Sequence, residues 1–281
     1  MKHIIKFILT AVLLVPCIVL KAQTGLEIIQ QVIDKNKTIK TLKITIEGEE
    51  RIKNKYIKSK MRFKINLSPL RVYVYQYYPD EKLEVLFLSG FNNNKAYVRK
   101  NRLIKLYLDP TGSMMRKNAH NTLFKTGFNW TVNVIDNGIK KYGDKASELV
   151  VSKGLVKLSD GRTCYKIEME DPGFKFINYT VKKGETLSTI GFRNFISDYM
   201  ILENNPSISF YDDVKEGDVI KIPVVYAKKT IMYIDKSNML PALMMIYDDK
   251  GLFEKYTYSN IEINPVFSAD EFTTSYKEYN F

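Results

Sequence analysis

Nucleophilic and metal chemistry have little to draw on in this chain. It holds two histidines and two cysteines, and beyond residue 22 only His120 and Cys164 remain. A cysteine nucleophile needs a base within hydrogen-bond reach, and neither residue sits in a local signature for such a pair. Zinc-peptidase chemistry draws on several histidines, which this count excludes. Paired carboxylates have more material, since 31 residues are Asp or Glu. Yet Asp212-Asp213 and Asp248-Asp249 read as turn or surface residues rather than as the acid–base couple of a glycosidase. The expectation is a non-enzymatic protein with no catalytic residue, no metal and no cofactor.

The composition fits one sizeable core plus a small module in 281 residues, since domains usually run to about 100–200 residues. The first stretch, "MKHIIKFILTAVLLVPCIVLKA", sets Lys2 and Lys6 before an apolar run from Phe7 to Leu20 and ends on the small Ala22. That is the pattern of a secretory signal peptide, residues 1–22. The run is shorter than the roughly 20 residues a membrane span needs. A lipobox at Cys17 is disfavoured by Pro16 before it and Ile18 after it. Losing Lys2, Lys6 and Lys21 lowers the formal charge from +12 to +9. It also leaves Cys164 alone, so no intramolecular disulfide is expected despite the oxidising compartment. Cys164 itself reads as a small buried hydrophobe. The lysines alternate with apolar residues, as in "KSKMRFKINL", which is the wet face of a sheet rather than a nucleic-acid patch. A merely solvated face is the default reading of such charge, and attraction to anionic envelope surfaces is the functional one.

Past Ala22, Thr24 and Glu27 form a capping-box pattern ahead of Leu26, Ile29, Val32 and Ile33 at helical spacing. The period then changes to two. Leu42, Ile44 and Ile46, then Met61, Phe63 and Ile65, alternate with polar residues, and about six strands with short turns follow one another. Phe128, Thr131, Val132, Ile135 and Ile139 suit a helix laid across that sheet. Strands return around Asp160-Gly161, Ser237-Asn238 and Lys250-Gly251. The fold class expected is α+β, a long curved antiparallel sheet, or half-barrel, packed on helices. Its many Tyr and Phe fill an ordinary core or line a hollow able to take an acyl chain.

One stretch breaks the pattern. "YTVKKGETLSTI" starts a strand at Val181, turns at Gly184, and enters a helix with Thr186, Leu187 and Ile190. Ser197 and Asp198 open a second helix that ends in "NNP", and "VKEGDVIKIP" turns at Gly217 into a returning strand. The unit is βααβ with paired ends, so it can replace a hairpin tip without disturbing its host. Residues 178–223 resemble a LysM domain along their whole length. Gly191, where that family usually has Ala, and Phe192-Arg193-Asn194-Phe195 depart from its pattern. The resemblance implies binding of N-acetylglucosamine glycans such as peptidoglycan. It implicates Gly184, Glu185, Thr186 and Leu187 on one side of a groove and Asn205, Pro206, Ser207 and Ile208 on the other.

The flanking segments, 23–177 and 224–281, then form one discontinuous domain. Its tail "YIDKSNMLPALMMIYDDKGLFEKYTYSNIEINPVFSADEF" resembles the LolA/LolB-like group of periplasmic lipoprotein carriers, which implies a half-barrel able to hold lipid or a lipoprotein. The function expected is therefore that of an exported envelope protein, in the periplasm and at most peripheral to the membrane, that binds peptidoglycan and holds a lipid or lipoprotein. The alternatives are a purely structural wall-binding protein without a lipid ligand, and a cell-wall hydrolase.

Overall fold

The computed structural model describes residues 23–80, 82–101 and 103–281; the expected signal peptide lies outside the described residues. Helix α1 (Gly25–Lys37) begins where the sequence placed it. The Thr24 side chain accepts from the Glu27 N–H, and the Glu27 carboxylate accepts from the Thr24 N–H in return. Its apolar stripe, Ile28, Ile29, Val32 and Ile33, is buried.

Six antiparallel strands follow: β1 (Thr41–Ile52), β2 (Lys55–Leu67), β3 (Leu70–Tyr78), β4 (Leu83–Leu88), β5 (Ala96–Lys100) and β6 (Ile104–Leu108). Helix α2 (Asn129–Tyr142) and a single turn, α3 (Ala146–Leu149), lead into β7 (Val150–Lys157) and β8 (Thr163–Glu170). After a separate unit, β11 (Lys229–Asp235), β12 (Leu240–Asp248) and β13 (Gly251–Ile263) close the sheet. The order of its 11 strands is β6-β5-β4-β3-β2-β1-β13-β12-β11-β8-β7. The fold class is thus α+β, a curved antiparallel sheet carrying helices.

Alternation decides which side chains go where. On β3, Val72 and Val74 face the main core, while Tyr73 faces the opposite side. There it stacks on Tyr279 at 3.6 Å between ring centroids. The C-terminal segment covers that second face through Phe272 and Tyr279, pinned by a Lys64–Glu271 ion pair at 2.5 Å. Cys164 is free and buried.

The separate unit sits at the tip of the β8–β11 hairpin. Glu170 pairs with Lys229, the Asp171 N–H donates to the Lys228 carbonyl at 2.9 Å, and the chain between them folds as β9 (Phe176–Thr180), α4 (Leu187–Asn194), α5 (Asp198–Glu203) and β10 (Val219–Pro223). Strands β9 and β10 pair only with each other. Val181 does not open β9 as the sequence suggested; the strand ends one residue earlier. The Val181 side chain turns into the small core, while its backbone still bonds to Asp218 and Gly217 at 2.8 and 2.9 Å.

Candidate functional site

The groove-side residues divide into a surface set and a structural set. Leu187 N–H donates to the Tyr211 carbonyl at 2.8 Å, so the loop before α4 lies beside the stretch after α5. Gly184, Pro206 and Ser207 are exposed there, and Glu185, Thr186 and Ile208 are half-buried. Gly184 takes φ +77° with open space around it, a turn geometry that L side chains resist. Thr186 caps α4, accepting from the Thr189 N–H at 3.2 Å. Glu185 is held by Tyr179, by the Lys182 N–H at 2.9 Å, and by Arg193. Burial works against its charge, but the donors of Lys182, Arg193 and Tyr179 hold the carboxyl below its usual value.

Two expected members are corrected. Leu187 is fully buried in the small core and offers no apolar face to a sugar, because its position in the first turn of α4 points it inward. Asn205 is buried too. Its Nδ2 donates to the Ile201 and Lys221 carbonyls at 2.7 and 2.8 Å, and its Oδ1 accepts the Lys221 N–H at 2.8 Å. Its side chain ties the end of α5 to β10.

Buried charges dock the module on the segment between β6 and α2 and on β1. Arg116 Nη1 donates to Asp198 Oδ2 at 2.8 Å and to Ser188 Oγ at 3.1 Å, and Lys125 Nζ donates to Asp198 Oδ1 at 2.9 Å. The three charged side chains are at most 4 % exposed. Burial alone would raise the Asp198 carboxyl; Lys125 and Arg116 outweigh it and hold it below the usual carboxylate range. Arg51 bridges Glu203 of α5, at 3.0 Å, and Asp248 of β12. Asp248 does stand at a turn, opposite Gly251 with its Oδ1 accepting from the Lys250 N–H at 2.8 Å. It is buried rather than on the surface, whereas Asp212 and Asp213 are exposed as expected. The Arg116 guanidinium lies 3.4 Å from the Tyr211 ring centroid, and Trp130 stacks on Phe192 and Phe195.

Gly191 now has a reason. A Cβ there would stand 2.9 Å from the Asp198 Cβ and 3.1 Å from its backbone N. Gly191→Ala should therefore push Asp198 off its cations and cost about 1–3 kcal/mol, the usual penalty of overpacking, read as a lower urea midpoint.

Beside this interface lies an apolar cavity of about 610 Å³. The sheet lines it with Ile46, Phe63, Val98 and Met244, and α2 lines it with Ile135 and Ile139. Pockets for small ligands usually span about 300–1,000 Å³. One part of the wall is polar. Glu50, Glu254, Tyr226 and Tyr256 face the cavity, with His120 behind them, fully buried between the Tyr199 and Phe253 rings at 4.1 and 4.3 Å. Burial raises the Glu50 carboxyl. It works the other way on His120, but Glu50 and Glu254 outweigh it and hold the imidazole above its usual value. Sequence reasoning set His120 aside. A signal for its partners was present: Glu50 shares the parity of Leu42, Ile44 and Ile46, and Glu254 that of Tyr256 and Tyr258.

No helix among the described residues is long and apolar enough to cross a membrane. Comparison with curated proteins finds no match. Among solved structures the chain is similar to Mycobacterium tuberculosis lipoprotein LppX, at 12% identity over 86% of this chain and 97% of that one, with a TM-score of 0.40. It is also similar to a chain of the Pseudomonas aeruginosa MucA/MucB complex, at 9% identity over 86% and 60% with a TM-score of 0.40. A LolA superfamily protein from Nitrosomonas europaea is similar at 11% identity over 88% and 96%, with a TM-score of 0.31. The LysM domain model matches residues 179–223, the unit built of β9, α4, α5 and β10. The model of a protein family of unknown function, DUF1571, matches residues 39–179, half of the sequence, and the chain belongs to that family.

Proposed function

We propose that this is an exported, non-catalytic envelope protein in which residues 178–223 grip peptidoglycan and the host formed by 23–177 and 224–281 holds the acyl part of a lipid or lipoprotein. The observation that carries this reading is the LysM match at residues 179–223 on a unit packed beside a large apolar cavity. Gly184, Thr186, Pro206, Ser207 and Ile208 form the accessible rim; Glu185 shapes its first loop from within. Backbone groups at these turns hydrogen-bond N-acetyl groups, and Ile208 offers an apolar edge to a sugar face. The basic balance of the chain favours approach to an anionic wall. Export through residues 1–22 places the protein in the periplasm or at the envelope.

The glycan role is tested by sedimentation with purified peptidoglycan. Ser207→Trp, on an exposed position, should weaken co-sedimentation at least about tenfold, or roughly 1.4 kcal/mol. Wild-type protein that stays in the supernatant would remove the glycan role. Organic extraction of the purified protein followed by mass spectrometry tests the cavity. Stoichiometric acyl lipid is the expected result, and a lipid-free extract from protein never exposed to detergent would favour a purely structural wall binder.

A further inference from the structure

We propose that Glu50, His120 and Glu254 form a binding site for one divalent transition-metal ion, zinc by preference, with an open position toward the cavity. The inference is independent of the glycan reading.

Glu50 and Glu254 face each other directly across β1 and β13. Like charges in that relation destabilise a sheet, and these two are 7 % and 1 % exposed on a face that is apolar at Ile44, Phe63 and Ile65. Such a pair needs a positive charge beside it, from a protonated ring or from a bound ion. One imidazole reaches them: the ligating atoms of Glu50, His120 and Glu254 all lie within 4.8 Å of one another.

The histidine is set up as a ligand. Its Nε2 lies 2.8 Å from the Arg51 carbonyl oxygen, which only accepts, so Nε2 carries a proton. Nδ1 is thereby aimed at Glu254 Oε1, 2.8 Å away. Without an ion that contact needs a proton between the two atoms, on the ring or on the carboxyl. With an ion, the Nδ1 lone pair becomes the bond. A ring N–H given to a backbone carbonyl is the usual support of a metal-bound histidine, and the flanking Tyr199 and Phe253 rings fix the imidazole plane.

The carboxylates are held from behind in the same way. Tyr226 Oη donates to Glu254 at 3.2 Å. The His120 backbone N–H donates to Glu50 Oε2 at 2.9 Å, Tyr256 donates to Glu50 Oε1, and Asn121 Nδ2 supports the Tyr256 hydroxyl at 3.0 Å. Glu50 and Glu254 line the cavity while His120 stands behind them. An ion among them would have nitrogen at its back, carboxylates at its sides and a free position facing a ligand. One imidazole with two carboxylates is a donor set suited to Zn²⁺, and three protein ligands with an open fourth position is the pattern of sites that bind something further. Bonds of about 2.0–2.2 Å would require the ligating atoms, within 4.8 Å of one another, to close in on the ion.

The test uses the purified chain, stripped with a chelator and titrated with Zn²⁺ by calorimetry and with Co²⁺ by visible absorption. One Zn²⁺ per chain is expected, with a higher melting temperature in its presence and Co²⁺ d–d bands in the visible range. Glu254→Gln and His120→Gln should each abolish saturable binding. Tyr226→Phe keeps all three donors and should weaken binding about tenfold, so the inference remains testable if a ligand variant fails to fold. Absence of a one-to-one Zn²⁺ complex in the wild type would overturn it. So would a Zn²⁺ affinity and Co²⁺ spectrum left unchanged in folded Glu254→Gln and Tyr226→Phe, which would mark an adventitious surface ion.

Discussion

Replacing Asp198 by alanine should lower the stability of the whole chain by about 3–5 kcal/mol, the cost of breaking a buried ion pair from one side. The loss is large because one carboxylate serves two cations. Arg116 and Lys125 converge on its two oxygens from outside the module at 2.8 and 2.9 Å, and both side chains are almost wholly buried. Arg116 would keep Ser188 and the His120 carbonyl, whereas Lys125 would keep, among the described residues, only the Trp130 ring, 4.5 Å from its Nζ. Adding Lys125→Met removes the stranded ammonium and should restore part of the loss. A double variant no better than the single one would show that the cation is not what the single variant strands.

The same carboxylate sets a pH signature. Its folded pKa is depressed, so its contribution is present above the unfolded value of about 3.9 and is lost as pH falls through the lower folded value. The stability difference between wild type and Asp198→Asn should therefore narrow as the solution is acidified below about pH 4. A difference that stays constant down to pH 2 would mean the ion pairs contribute nothing to folding.

Local rules carried the reading of the elements well. The Thr24–Glu27 box marks its helix start because both partners lie within one turn. Period-two alternation gives the six strands from β1 to β6, since each side chain's facing depends only on its own strand. Gly184, Gly217 and Pro206 punctuate the small unit for reasons of backbone geometry. What stayed hidden depends on pairings distant in sequence. Arg116 and Asp198 are 82 residues apart and His120 and Glu254 are 134 apart. No local spacing encodes such meetings. Asp198 looked like a helix-opening acid, Asp248 like a turn or surface residue, and His120 like a histidine with no local partner. Leu187 and Asn205 were misplaced for the converse reason: a family's groove names positions, and burial decides which of them a ligand can reach.

Excising the module should unfold its host rather than trim it. The chain can be closed geometrically, because Asp171 and Lys228 already bond across the hairpin at 2.9 Å, and a two-residue turn suits such a pair. The outcome therefore measures what the interface between module and sheet contributes. Arg116 and Lys125 would lose Asp198 together, and Arg51 would lose Glu203 and keep Asp248. The His120 ring would lose Tyr199 from one face, Trp130 would lose Phe192 and Phe195, and Arg116 would lose the Tyr211 ring. Uncovered by the excision, the cations regain water, which offsets part of their cost; the aromatic surfaces do not. A net loss of about 5 kcal/mol or more is expected, comparable to the whole stability of many domains. Far-UV circular dichroism and urea titration of the excised chain would show a broad or absent transition. A cooperative transition at the wild-type midpoint would instead mean that the module only rides on the sheet, and the buried charges between them would need another explanation. For the same reason, loss of peptidoglycan binding in an excised chain says little about the groove, and a single exposed position such as Ser207 is the sounder probe.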